Sequence, residues 1–161
     1  VLADCVGGGT GATATSDGID GVDTYMSNVG LMPAEVAETN YQVRVLRTEF
    51  LPGSEGAGEY RGGMGLRREY QILDHDQRVT YYGEQTHGEF APEGAAGGLP
   101  GKQTTVTVLA PDGSVLDLPS KASVTLAAGT IVRVETAGGG GYGDPGLRSE
   151  ELRTRDAAAN A

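Results

Sequence analysis

The stretch that decides the fold is Thr105-Val106-Thr107-Val108-Leu109-Ala110-Pro111-Asp112-Gly113-Ser114-Val115-Leu116-Asp117-Leu118. Val106 and Val108 alternate with Thr105 and Thr107, the period-two pattern of a strand with one buried face. Pro111-Asp112-Gly113 then turns the chain, because Pro presets φ and Gly accepts a positive φ. Residues 115–118 return along the first strand. Downstream, Val124 and Leu126 alternate with Ser123 and Thr125, Gly129 turns the chain, and Val132 and Val134 alternate with Arg133 and Glu135. Short strands with turn signals between them predict a mainly β fold, an antiparallel β-sandwich or barrel-like domain with glycine-rich loops and little helix.

The pattern extends upstream. Tyr41, Val43 and Val45 share one face of a strand against Gln42 and Arg44. Residues 66–73 and 78–84 read as two further strands, with Asp74-His75-Asp76 as the tip of a hairpin between them. Loops rich in Gly and Pro separate these elements at 52–65 and 86–102. Pro33 opens a helical turn, and Asp144-Pro145 has the form of a helix cap followed by Pro at the first helical position. The charged, Ala-rich tail is expected to be helical or frayed. Residues 1–6 read as a short strand, and 7–21 as a loop without periodicity. The expected organisation is a glycine-rich segment continuing a larger catalytic subunit fold (1–39), an antiparallel β domain (40–146) and a short tail (147–161). A chain that opens on Val1 reads either as processed or as the downstream piece of something longer.

Composition narrows the function. The formal charge is -10 and the pI about 4.5, a field that repels phosphate backbones and anionic membrane surfaces. No run approaches the roughly 18 apolar residues of a spanning helix, and no signal-peptide pattern opens the chain. A lone Cys5 excludes an internal disulfide and reads as a small buried apolar residue. These features suit the cytoplasm. Glycine supplies 27 of 161 residues, well above the usual share of about 7%. A chain so rich in glycine and lean in large side chains is expected to complete its core on a partner.

Several motifs lose their chemistry in context. Gly7, Gly9 and Ala12 fit G-x-G-x-x-A, and Gly138, Gly140 and Gly143 fit G-x-G-x-x-G. That fingerprint holds a pyrophosphate only where a strand feeds a helix inside a βαβ unit. Neither site has that context, so the glycines read as places where backbone passes closely against another surface. Gly101-Lys102-Gln103 lacks the hydroxyl of a Walker loop. The two histidines form no ligand pair: His75 reads as an exposed turn residue, and His87 lies in a polar loop able to line a cleft. No catalytic residue and no metal ligand is assigned; the chain lacks a self-sufficient active site.

Seven segments in order carry a resemblance. They are Gly7-Gly8-Gly9-Thr10-Gly11-Ala12 with Asp17-Gly18-Ile19-Asp20-Gly21-Val22, then Ser27-Asn28, Met32-Pro33-Ala34-Glu35-Val36, and residues 56–65. Residues 92–101, Pro119-Ser120-Lys121 and the block 135–145 complete the set. In this order and spacing the chain resembles the C-terminal third of the hydantoinase B/5-oxoprolinase family, which includes N-methylhydantoinase B and the acetone and acetophenone carboxylases. The resemblance implies cyclic amide hydrolysis or ketone carboxylation driven by ATP. ATP with Mg and a divalent metal would be bound by partners or by upstream regions rather than by this chain. Phosphorylating a lactam oxygen overcomes the amide resonance that makes its carbonyl a poor electrophile.

The implied partners are a larger hydantoinase B-type chain and a hydantoinase A-type ATP-binding subunit, in a hetero-oligomer acting on a lactam, hydantoin or ketone. Gly9, Thr10, Gly11 and Ala12 are candidate cleft contacts through unhindered backbone N–H groups. Asn28 is another, and Lys121 a candidate for neutralising a phosphate or carboxylate. Two rival readings stay open: a non-catalytic assembly module, and an independent β-sandwich binding module, which the absence of Trp weakens.

Overall fold

The alternation of β-branched and polar residues yields seven strands among the residues that the computed structural model describes, 4–23 and 29–159. In spatial order, β1 (Val43–Leu51), β2 (Gly65–Ile72), β7 (Ile131–Glu135), β4 (Thr105–Leu109) and β5 (Val115–Asp117) form one antiparallel sheet. A second sheet pairs β3 (Gln77–Tyr82) with β6 (Lys121–Leu126). Val43, Ile72, Val106, Val108 and Val132 of the first sheet meet Leu126 of the second, with Val79, Tyr81 and Val124 packed around them. A short helix, α1 (Ala34–Asn40), adds Ala37 to this core. The architecture is mainly β, two antiparallel sheets packed as a sandwich. No helix among the described residues is long and apolar enough to cross a membrane.

Three local expectations are corrected. β2 and β3 follow each other but form no hairpin: β2 lies between β1 and β7, while β3 crosses to the other sheet. The turn at Asp74, with φ of 60°, serves a change of sheet as well as it would a hairpin. The distinguishing feature is burial. β2 is covered on both faces, as a central strand is, whereas β3 alternates between half-buried and exposed. Asp4, Cys5 and Val6 carry no strand, and residues 1–3 of the expected strand lie outside the described residues. Cys5 is exposed rather than buried, in a segment that joins no strand and whose isolated bridge pairs Gly8 with Val22.

The outward face of the large sheet is a charge checkerboard. Across the strands, Glu49, Arg67 and Glu135 form one row, with Arg67 bridging Glu49 at 3.1 Å and Glu135 at 2.6 Å. The neighbouring row is Arg47, Glu69 and Arg133, with Glu69 held at 3.4 Å and 2.6 Å by its flanking arginines. Opposite charges directly across a sheet stabilise the pairing. The inward face carries one buried charge, Arg68. It pairs with Asp4 at 3.3 Å, donates to the Met32 carbonyl at 2.6 Å and lies over the Tyr70 ring. The Tyr70 hydroxyl donates to Asp4 at 2.7 Å, and burial followed by that carboxylate raises its pKa. This triad pins the N-terminal segment to the sheet.

Candidate functional site

The glycine blocks converge on one segment, residues 137–143, and over residues 137–142 its hydrogen-bond partners repeat every three residues. Ala137 accepts from the Gly9 amide and Gly140 from the Ala12 amide, both in the N-terminal loop. Gly138 donates to Lys102, and Gly141 donates to Leu99 and accepts from Ala95, all in the loop 92–102. Gly139 donates to Gly63 and accepts from Gly56, while Tyr142 exchanges both bonds with Tyr60, in the loop 54–63. An extended helix of the polyproline II type has three residues per turn and no internal hydrogen bonds. The segment therefore satisfies its backbone on three neighbouring loops in rotation.

Such packing brings backbones to within reach of one another and leaves no room for side chains. A Cβ added to Gly139 would stand 1.7 Å from the Thr10 carbonyl oxygen, and one added to Gly62 would stand 1.9 Å from that of Gly139. The glycine motifs are thus a backbone-to-backbone bundle.

The bundle is clasped by ion pairs where the N-terminal loop meets the C-terminal helix α2 (Glu150–Ala159). Arg148 holds Asp17 through two bonds of 2.8 and 3.0 Å and Asp156 of α2 at 2.8 Å. Arg61 joins Asp20 at 2.9 Å to Asp156 at 3.1 Å. The Asp144 side chain caps the short 3-10 turn that leads into this clasp by accepting from the Gly146 amide. Burial alone would push the Asp17 carboxyl up. The Arg148 hydrogen bonds, the Arg61 amide and the nearby positive charges outweigh it and hold the pKa below the usual range. Asp20 follows the same balance, with Arg61 as its principal partner. Arg148 is pushed up by its bonds to Asp17, against desolvation.

Two shallow grooves flank β4. One, of about 480 Å³, is lined by Arg67, Lys102, Gln103, Thr105 and Glu135 among others. The other, of about 350 Å³, contains His87 together with Thr86, Thr104, Asp117 and Ser120. Among the described residues no group of three His, Cys, Asp or Glu side chains is placed to hold a metal.

The residues singled out from sequence fall in different places. Gly9, Thr10, Gly11 and Ala12 stay together in the bundle, and the N–H groups of Gly9, Thr10 and Ala12 each donate to a carbonyl of this chain. Gly11 is exposed. Asn28 lies outside the described residues. Lys121 is exposed at the start of β6, on the smaller sheet, with its ammonium 5.2 Å from the centre of the Tyr82 ring. His75 is exposed at its turn. Sequence reasoning missed Asp4, Arg68, Asp17, Arg61, Arg148 and Asp156. The available signal was Arg68, a charge on the apolar face of a strand that alternation does reveal.

The comparisons with known proteins agree with this geometry. The hydantoinase B/oxoprolinase family model matches residues 1–145. The chain is 31% identical to 5-oxoprolinase of Dictyostelium discoideum over 86% of its length, and 31% identical to the B component of a D-/L-hydantoinase from a Pseudomonas species over 94%. It spans 11% and 25% of those two relatives respectively. Among solved structures, the ATP-dependent caprolactamase from Pseudomonas jessenii aligns over 96% of this chain and 27% of its own, with a TM-score of 0.79 and 26% identity. A nucleotide-free acetone carboxylase aligns over 97% of this chain and 25% of its own, with a TM-score of 0.80. At 19% identity that likeness concerns the fold alone. With the match running from the first residue through the glycine block, the chain belongs to the hydantoinase B/oxoprolinase family.

Proposed function

We propose that this chain is the glycine-packed β part of a B-type subunit, as a separate small subunit or as its C-terminal piece, in an ATP-dependent cyclic amide hydrolase. There it completes the fold and walls the catalytic cleft. The observation that carries the reading is similarity along nearly the whole chain to a protein named as the B component of a hydantoinase, together with 26% identity to a caprolactamase. Both names denote enzymes that act on cyclic amides. Ketone carboxylation is the second reading, which rests on the ordered motifs of the resemblance; the acetone carboxylase likeness, at 19% identity, carries the fold and adds nothing to it.

The described residues do not offer a donor set for a divalent metal. The glycine-loop amides at Gly9, Thr10 and Ala12 are already committed to carbonyls, so they are not available to a phosphate. No step through either group is therefore assigned to this chain. Its contribution is positional: a bundle in which no backbone moves without breaking its neighbours' hydrogen bonds is a rigid wall against which a cleft is shaped. Partners of the hydantoinase A and B type, ATP with Mg and a divalent metal belong to the rest of the assembly in this reading.

Native mass spectrometry of the chain purified from its source tests the proposal. Association with a larger metal-containing chain and an ATP-binding chain is the expected result, with ATP-dependent opening of a lactam or hydantoin by the complex. A complex that instead consumes bicarbonate with a ketone would shift the assignment to the carboxylases. A chain that stays alone at 16.6 kDa would sink both readings.

A further inference from the structure

β1 is an edge strand of the large sheet, and its open stretch is chemically self-complementary. Residues Leu46-Arg47-Thr48-Glu49-Phe50 are all exposed, five in succession, with the Phe50 ring resting in part against Gly21. Among the described residues their backbone has no partner beyond β2. The stretch is bounded on both sides. Above it, the Val45 amide donates to the Glu38 carboxylate of α1 at 2.8 Å; below it, Pro52 has no N–H to offer. A bulge lies between Val45 and Arg47, and from Arg47 onward the pairing with β2 is regular. Unprotected edges invite another strand, and proteins usually blunt them. Here the blunting stops at Val45.

We propose that this edge docks a second copy of the same chain, antiparallel about a twofold axis at Thr48. In that register Arg47 faces Glu49 of the second copy, Glu49 faces its Arg47 and Thr48 faces Thr48, with Leu46, which the bulge leaves without a partner on β2, beside its Phe50. Isologous contacts require this kind of self-complementarity. The pairing also extends the checkerboard without a break. From one sheet to the other the row runs Glu135, Arg67, Glu49, then Arg47, Glu69 and Arg133 of the second copy, alternating in sign throughout. The second row is its symmetry mate. Leu46 and Phe50, exposed by 39% and 51%, gain apolar cover at both ends. Two five-stranded sheets become one of ten strands.

A five-residue strand pair buries little surface, and each copy carries a formal charge of -10. The dimer is therefore weak for the isolated chain and strengthens with protein concentration. The inference does not depend on which reaction the assembly performs.

Sedimentation equilibrium of the full chain, with folding followed by circular dichroism, tests it. Arg47→Glu and Glu49→Arg each set like charges against each other across the axis, and each is expected to weaken self-association by about tenfold or more. Mixing the two variants restores opposite charges at both positions, so a heterodimer should form where neither variant pairs with itself. Thr48→Cys in a Cys5→Ser background should cross-link as a dimer under mild oxidation, while Arg44→Cys in the same background should not. A wild-type chain monomeric at every concentration would overturn the proposal. So would a mixture of folded charge variants that fails to associate, or equal cross-linking at positions 44 and 48.

Discussion

The sandwich and the glycine bundle are held by opposite means. In the sandwich, Ile72, Val106, Val108 and Val132 fill the space between sheets with side chains, and the outer face is tied by Arg67, Glu69 and their partners. In the bundle, side chains are nearly excluded, and the segment 137–143 is fixed by backbone hydrogen bonds to three loops. A side-chain core tolerates change by small shifts of its neighbours. A backbone core has no soft neighbour: at Gly138, Gly139, Gly140 and Gly141 the atom nearest the missing Cβ is in each case a carbonyl oxygen.

The largest effect expected from this contrast is at Gly139. Its Cβ in Gly139→Ala would meet the Thr10 carbonyl oxygen at 1.7 Å, and the variant should lose more than about 4 kcal/mol, or fail to fold cooperatively. Val132→Ala in the sandwich removes two buried methyl groups and should cost about 2 kcal/mol. Urea unfolding of both variants checks the order. A Gly139→Ala protein as stable as Val132→Ala would break the distinction between the two regions.

Next comes the charge that the sandwich buries. Arg68→Met leaves Asp4 within the protein without its cation and should cost about 3–5 kcal/mol. Arg133 pairs with Glu69 on the outward face and is itself 36% exposed at the side chain. Arg133→Met should cost about 1 kcal/mol, as partly solvated pairs do. Thermal denaturation at one pH separates the two. Equal losses would mean that the inward and outward faces are alike in solvation.

These regions also differ in how far the sequence discloses them. Alternation exposes the strands at Val106, Val124 and Val132 because a two-residue period is written in side chains. The bundle follows a three-residue period written in backbone bonds, and glycines show which positions must be small without showing which loops meet. Pairing across the turn at Asp74 is illegible for a related reason: local turn chemistry does not encode the sheet that the next strand joins. The clasp of Asp17, Arg61, Arg148 and Asp156 joins residues from opposite ends of the chain. Nothing local marks such partners. Resemblance by ordered motifs succeeds where pattern fails, because the glycine blocks keep their order even when their contacts are unreadable.

A smaller and pH-dependent effect belongs to the clasp. Asp17 has a folded-state pKa held below its ordinary value, so its stabilisation is present above the unfolded-state pKa near 4 and is lost as pH falls through the folded one. Asp17→Asn should therefore cost about 1–3 kcal/mol at pH 7 and progressively less in acid, where the wild-type carboxyl is itself neutral. Urea titrations from pH 7 to pH 2 would show the two stability curves converging. Parallel curves would assign the loss to packing rather than to charge.

The smallest effect is also the one that separates fold from function. Gly11 lies two residues from Gly9, yet a Cβ at Gly11 would meet only the Gly140 carbonyl oxygen at an ordinary 3.9 Å. At Gly9 the same atom would stand 1.9 Å from the Gly63 carbonyl oxygen. Gly11→Ala should thus be neutral or gain up to about 1 kcal/mol by restricting the unfolded chain, while Gly9→Ala should not survive folding. Because Gly11→Ala keeps the bundle, it tests the proposed cleft contact without disturbing the fold. A fall in turnover of the assembled enzyme at unchanged melting temperature would place Gly11 against the substrate. Unchanged kinetics would make the exposed loop tip a bystander and confine this segment's role to backbone packing.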